Sequence, residues 1–522
     1  MTDDGSMLKP GHNCWRIERA DQATVIVDAD NYFRAARAAM IKAKKQILLV
    51  GWDFDARIRF GGDGDDGGPE RVGEFVSWLV RRTPGLNVYI LRWDTGAIKT
   101  LFHAQTMVRI AKWIKDPQVH FRLDAHHPPA GSHHQKVVVI DDDVAFCGGI
   151  DVTVDRWDTR DHVDEEPRRV EPDGTPYGPW HDATTMIQGQ AAQALGDLCR
   201  GRWKVSGGDA IDPVSDGGDC WPDHVEPDFT HVDVGIALTV PEMADQEPRH
   251  EIEALYVDLI ARTKRLFYAE SQYFASRRVA EAIGKRLAEP DGPEFVIVHP
   301  TSAQGWLEPV AMDSARARLV EALHEKDPHR RLRLYSPFTA GGEPIYVHAK
   351  VTVIDDEVLR VGSSNFNNRS LRLDTECDVV IDAVRDQNAD ERRTIAGIRN
   401  SLLAEHLDTE CETIEAMIAE TGSIIETIER LRGDGRSLRP YEVPELDAVR
   451  EWLADNKILD PEGPGEMFEA LSARKPLLKN LRPHLHRPDG TLSPTTIAIS
   501  IAGVAVGATL IGTMWSKFGK RR

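Results

Sequence analysis

The stretch HHQKVVVIDDDVAFCGGID, residues 133–151, decides the fold, because VHAKVTVIDDEVLRVGSSN, residues 347–365, repeats its pattern. Each copy contains His-x-Lys-x4-Asp: His134, Lys136 and Asp141 in the first, His348, Lys350 and Asp355 in the second. Gly148-Gly149 and Gly362-Ser363 fall at the same offset from the two aspartates, and Asp151 falls where Asn365 falls. One His-x-Lys on a strand is usually a surface accident; two copies in aligned contexts point to a duplicated half.

Residues two apart on a strand share a face, so His134 and Lys136 project together, as do His348 and Lys350. The apolar runs Val137–Ile140 and Val351–Ile354 read as buried strands. Asp-rich turns follow, and a second apolar strand returns from each. Each copy is therefore expected to be a hairpin with an imidazole and an ammonium at one end. Asp141 and Asp355 complete the two motifs and count among the catalytic candidates, yet opposite parity and a place at the turn favour a structural role.

The correspondence extends beyond the hairpins. Asp182, in Trp180-His181-Asp182, aligns with Glu376, in Asp374-Thr375-Glu376, each ahead of an apolar run. Upstream, IKAKKQILLVGWDF (41–54) matches IARTKRLFYAESQYF (260–274), a helix end running into a buried strand. Strands alternating with helices in each half predict an α/β class fold, an α/β sandwich used twice. The expected boundaries are 1–205 for the first half, 206–230 for a Gly-, Asp- and Pro-rich linker, and 231–408 for the second half. A helical region over 409–490 and a candidate membrane helix at 495–516 complete the chain.

On these residues the chain resembles the phospholipase D superfamily, and within it the phosphatidylcholine-hydrolysing type. The matching pieces are HHQK with GGID, Arg156-Trp157-Asp158, Pro179 to Asp182, Glu270 to Phe274, HAK with GSSN, Ile398-Arg399 and Glu405-His406-Leu407. The resemblance implies two hairpins meeting across a pseudo-twofold interface to make one active site. It implies that His134 attacks phosphorus to form a phosphohistidine, and that His348 protonates the leaving oxygen and then activates water or an alcohol. Lys136 and Lys350, with the Asn365 amide, would hold the non-bridging oxygens. Asp182 and Glu376 would hold the second nitrogen of the imidazoles, and Asp151, Gly149 and Ser363 would shape the same pocket. The residues themselves are nearly symmetric and do not assign nucleophile and acid. No cofactor and no metal are implied, and the expected partners are a phospholipid membrane substrate and a water or alcohol acceptor.

The remaining motifs are read more plainly. Arg156 to Asp158 is balanced between function and a packed turn, and Glu270 to Phe274 reads as cleft wall. His126, His127 and His133 read as loop or flanking residues, and His181 as a residue that orients its neighbour. The charged, Pro-rich stretch from Asp161 to Gly178 has no counterpart in the second half and reads as a solvated loop or a lid.

Composition bounds the alternatives. The chain has 522 residues, 64 basic against 84 acidic, for a net charge of −20. That balance disfavours an extended nucleic-acid backbone as partner, so a superfamily nuclease ranks behind a phosphatidyl transferase of the cardiolipin-synthase kind. The six cysteines (14, 147, 199, 220, 377 and 411) lack Cys-x-x-Cys spacing, and reduced thiols inside the cell are expected. The opening 30 residues have no stretch suited to a secretory signal. Ile497 to Trp515 is uncharged and flanked by basic residues, long enough at about 1.5 Å per residue to span a bilayer core, so membrane attachment through it is expected, a cytoplasmic protein being the alternative.

Overall fold

In the computed structural model, residues 5–61, 66–94, 113, 116–128, 131–215, 217–303, 308–385 and 389–444 are described. The first half supplies strands β1 (Arg16–Val27), β2 (Gln46–Gly51), β3 (Asn87–Trp93), β4 (Val119–Asp124), β5 (Val137–Ile140), β6 (Val144–Gly148), β7 (Trp180–His181) and β8 (Ala183–Gly189). The second supplies β9 (Phe229–Val240), β10 (Arg249–His250), β11 (Leu266–Glu270), β12 (Glu294–Val298), β13 (Leu332–Phe338), β14 (Tyr346–Val347), β15 (Val351–Ile354), β16 (Val358–Gly362), β17 (Glu376–Asp382) and β18 (Ser437–Pro440). Among the described residues they form one 16-stranded sheet in the order β18-β13-β12-β11-β15-β16-β17-β9-β1-β8-β6-β5-β2-β3-β4, with β10 beside β9; β7 and β14 pair separately.

That order reads the same outward from the β1–β9 seam, apart from the extra edge strand β18. The seam is antiparallel, from Arg16 opposite Ile236 to Ala23 opposite Phe229, and it lies on the pseudo-twofold. The sandwich halves expected from sequence are thus joined edge to edge through paired main chains.

The two hairpins form for reasons visible in their residues. Val137 to Ile140 is buried throughout, with Val137 and Val139 in one core cluster and Val138 and Ile140 in another, so the strand has no wet face. Each turn places two successive aspartates at positive φ, 51° and 52° at Asp141 and Asp142, 51° and 57° at Asp355 and Asp356. Asp tolerates this region, and two such residues suit a tight hairpin with the strand twist.

Helices cover both faces. α1 (Ala29–Lys42) and α2 (Val72–Arg82) pack with the first half's cluster, while α4 (Glu251–Arg262) and α5 (Arg277–Leu287) pack with the second's. The opposite face is continuous across the seam. There α3 (Gln190–Val205), α7 (Ala389–His406), α8 (Cys411–Thr421) and α9 (Ile424–Leu431) share one core cluster with strands of both halves. α6 (Glu308–His324) follows β12.

Three readings change. The region after 409 was expected to be helical, and it also contributes β18, antiparallel to β13. The 161–178 stretch is not a simple solvated loop, because His162 and Arg169 within it are buried. Asp141 and Asp355 are not brought to the imidazoles. Asp141 accepts main-chain N–H groups of Lys44, Lys45 and Gln46 at 2.6–2.9 Å, and Asp355 those of Lys264, Arg265 and Leu266 at 2.6–3.0 Å, tying each turn to the neighbouring strand. The expected 495–516 membrane helix lies outside the described residues; among those described, no helix is long and apolar enough to cross a membrane.

Asp141→Asn keeps the turn conformation but removes the charge that three amides share. It is expected to lower unfolding free energy by about 1–3 kcal/mol in a denaturant titration, with turnover per folded molecule unchanged. A large loss of turnover at unchanged stability would return Asp141 to the chemistry.

Candidate functional site

The site forms where each hairpin meets the carboxylate-bearing segment of the other half. His134 N–H donates to the Thr375 carbonyl at 3.0 Å, and His348 N–H to the His181 carbonyl at 2.8 Å. β14, just ahead of His348, pairs in parallel with β7, and His133 bridges to Thr375 in the matching way. This weave sets the side chains. His134 Nδ1 lies 3.0 and 2.9 Å from the two oxygens of Glu376, and His348 Nδ1 lies 2.6 Å from Asp182 Oδ2. The sequence pairs the carboxylates with the histidines as a set; the structure crosses them, each histidine taking its partner from the opposite half. A carboxylate on Nδ1 favours the tautomer with the proton there and leaves Nε2 as the nitrogen able to react.

The lysines differ in company. Lys136 Nζ sits 3.2 Å from Asp151 Oδ2 and donates to the His134 carbonyl at 2.8 Å. Lys350 donates to the His348 carbonyl, and its other contact is the Gln272 amide oxygen at 3.5 Å, which also accepts from Asn365 Nδ2 at 3.4 Å. Asp151 thus gives Lys136 an anionic neighbour, whereas Asn365, its equivalent in sequence, meets Lys350 through the shared Gln272 amide oxygen. Gln272, within a segment read as cleft wall, is a site residue that sequence reasoning missed. Its place directly after Glu270-Ser271 on a buried strand end was the available signal.

Gly149 and Ser363 also sit at equivalent places with different work. A Cβ at Gly149 would come within 2.1 Å of Asp182 Oδ1, so only glycine leaves that carboxylate its room. Ser363 Oγ donates to Glu376 Oε2 at 2.5 Å. The His134–Glu376 pair therefore has a hydroxyl brace that the His348–Asp182 pair lacks.

Burial and crowded cations set the protonation of this pocket. Burial depresses both imidazoles well below their usual range. Lys136 and Lys350 add to this at His134, and Lys350, Arg156, Lys136 and His134 add to it at His348. That His348 feels both His134 and Lys136 places the two hairpins' groups in one electrostatic unit. Burial pushes the Lys350 ammonium down to about 7 against the support of Asp182, and lifts the Glu376 carboxyl to about 8 against Lys136. Aromatic rings wall the pocket. Trp52 stacks on Trp93 at 5.8 Å and meets the His134 ring edge-on, while Trp180 stacks on Tyr346 at 4.7 Å beside His348. Arg156 lies 4.4 Å over the other part of this wall, on the Trp180 ring.

Comparison with known proteins fits this geometry. Residues 39–218 match the family described as phospholipase D, and residues 256–393 match the one described as cardiolipin synthase, PLD-like domain. Phospholipase D alpha 2 of Oryza sativa subsp. japonica is 23% identical over an alignment covering 72% of this chain and 64% of that protein. Phospholipase D alpha 1 of Carica papaya is 22% identical, covering 78% and 67%. The chain thus spans about two thirds of the length of these relatives. The crystal structure of phosphatidylserine synthase from Haemophilus influenzae Rd KW20 shares the fold at a TM-score of 0.50 and 14% identity, covering 79% of this chain and 95% of that one. Two matched halves, meeting at a paired His-Lys pocket, define the class, and the chain belongs to the phospholipase D superfamily.

Lys350 gives a signed pH prediction. It is a cation below about 7 and neutral above, so affinity for a soluble phosphodiester monoanion such as glycerophosphocholine should fall as pH rises through that value, approaching tenfold per unit. In Lys350→Arg, whose guanidinium keeps its proton, the fall through about 7 should vanish and leave only the later one from the Glu376 carboxyl near about 8. Equal pH dependence of the dissociation constant in the two proteins would remove Lys350 from anion binding.

Proposed function

We propose that this chain is a phospholipase D-type phosphodiesterase that hydrolyses the headgroup bond of phosphatidylcholine-like glycerophospholipids to phosphatidic acid, through a phosphohistidine. The observation that carries the reading is the crossed bracing of His134 and His348 around a pocket containing both motif lysines. A phosphodiester needs positive charge around phosphorus, a nucleophile and an acid, and this set supplies all three.

In the proposed sequence, His134 Nε2 attacks phosphorus and the bond to the headgroup oxygen breaks, with His348 giving that oxygen its proton. Water then enters, His348 takes a proton from it, the phosphorus–nitrogen bond breaks, and phosphatidic acid leaves. A primary alcohol in place of water gives the transphosphatidylation product. Lys136, Lys350 and Asn365 hold the non-bridging oxygens in both steps. Glu376 and Asp182 position the imidazoles, and the greater openness of His134, 16% against 6% for the His348 side chain, suits the nucleophile. The half-buried rings of Trp52, Trp93 and Tyr346 suit a quaternary ammonium headgroup, which aromatic faces attract. The second-half match to a cardiolipin-synthase domain favours, as a second reading, phosphatidyl transfer to a lipid hydroxyl by the same two histidines.

Purified full-length protein should release choline from phosphatidylcholine vesicles; cardiolipin from phosphatidylglycerol, or fragments from single-stranded DNA, would select a different member of the superfamily. His134→Ala and His348→Ala should each lower kcat by at least about 10²–10⁴. With an activated phosphodiester whose leaving group needs no acid, quenched His348→Ala should carry on His134, by mass spectrometry, the phosphoryl group with its remaining ester. Near-normal turnover in His134→Ala would exchange or remove the assigned roles.

A further inference from the structure

Directly behind Asp182 lies a buried cluster that the proposed chemistry does not use. Asp28 at the end of β1, His162 in the 161–178 stretch, His181 in β7 and Glu405 near the end of α7 converge on one point, and all are buried. His181 Nδ1 is 2.7 Å from Glu405 Oε1 and 3.4 Å from Asp28 Oδ1, while His162 Nε2 is 3.1 Å from Glu405 Oε1 and 3.6 Å from Asp28 Oδ2. Four ligands around a tetrahedral ion at 2.0–2.1 Å stand about 3.3 Å from one another. The separations that converge on Glu405 Oε1 fall below that value, and those to the two oxygens of Asp28 just above it.

We propose that Asp28, His162, His181 and Glu405 form a structural site for one divalent transition-metal ion of the zinc type. The donor chemistry fits: two neutral imidazoles and two carboxylates neutralise a dication within a dry interior. The surroundings fit more tellingly. A metal-bound histidine ordinarily gives its other ring N–H to a carboxylate. His162 Nδ1 lies 3.0 Å from Asp158 Oδ2, and His181 Nε2 lies 2.8 Å from Glu270 Oε2. Those two carboxylates are themselves held, Asp158 by the Trp180 N–H and Arg169, Glu270 by the Tyr268 hydroxyl and His406. Arg160 holds the outer oxygen of Glu405, and the Asp182 N–H donates to Asp28 Oδ1 at 3.0 Å.

Two buried atoms facing the point point to a ligand. Among the described residues Asp28 Oδ2 meets no hydrogen-bond donor, and His181 Nδ1, though 2.7 Å from Glu405 Oε1, is not aligned with it as a hydrogen bond. Direct bonding between imidazolium ions and carboxylates would leave neither atom in that condition. Asp28 is further held at φ 63° and ψ 154°, a region that residues other than glycine rarely occupy, which keeps its carboxylate turned to the cluster. The ion would tie β1, the 161–178 stretch and β7 of the first half to α7 of the second, one residue from the carboxylate that holds His348. Its work is architectural and touches no substrate.

Metal content of the purified full chain, measured by plasma mass spectrometry after dialysis, should approach one zinc-type ion per molecule. Stripping it with a strong chelator should lower the unfolding temperature, and zinc should restore it. Cobalt in its place should show the visible bands of a four-coordinate ion. His162→Gln should lose the stoichiometric ion. Asp158→Asn, which keeps every ligand but takes the charge from the carboxylate shared by His162, Arg169 and the Trp180 N–H, should bind zinc about 10- to 100-fold more weakly. The proposal is overturned if wild-type protein holds no stoichiometric metal and zinc leaves its unfolding temperature unmoved, the histidines then being imidazolium ions. Full zinc affinity in both variants would overturn it equally, by placing the ion elsewhere.

Discussion

Each imidazole of the pocket is held by a carboxylate from the other half, and most of the architecture can be derived from that exchange. For Glu376 to reach His134 and Asp182 to reach His348, the segments ahead of the hairpins must cross the seam, as the bridges between β7 and β14 and between His133 and Thr375 do. The crossing in turn needs the halves fixed in register, and the β1–β9 ladder with the common core beneath it fixes them. Removing one member of such a buried hydrogen-bonded pair leaves the other's polar atoms unsatisfied, at a cost of about 1–3 kcal/mol. Neither half therefore braces its own histidine, and the two imidazoles are held only when the halves are paired.

The hairpins were legible because their information is local. Two-residue periodicity, a β-branched run and an Asp-rich turn specify a strand pair wherever they occur, and residues 133–151 and 347–365 each contain all three. The alignment of Asp182 with Glu376 was legible as well, through position relative to the following apolar run. Which carboxylate serves which histidine was not, because the two assignments differ only in a contact between segments some 166 and 242 positions apart. Gln272 escaped notice for the same reason, since its amide gains meaning only when Lys350, just ahead of β15, and Asn365, just past β16, arrive beside it.

The buried cluster marks another boundary of local reading. His162 stands among Arg160, Asp161, Asp164 and Glu165, and any window around it reads as solvated. It is buried because carboxylates from Asp28, Asp158 and Glu405 surround it, and those lie far apart in the chain. The periodicity of α7 likewise gives no reason for Glu405 and His406 to face inward at its end. A charged residue's burial depends on the company the fold assembles, which hydropathy does not record.

Net charge illustrates the same point at the scale of the molecule. A balance of −20 argues against an anionic substrate when taken as a bulk property. The pocket reverses that sign locally: Lys136, Lys350 and Arg156 all act on His348, and burial keeps their field from being screened as it would be at the surface. Burial, with Lys136 and Arg156 adding to it, drives the Lys350 ammonium toward neutrality, so the free site sits near the limit of positive charge it can hold without an anion. A phosphodiester entering it would relieve that repulsion and restore the charge that binds it, coupling substrate capture to the protonation the chemistry requires.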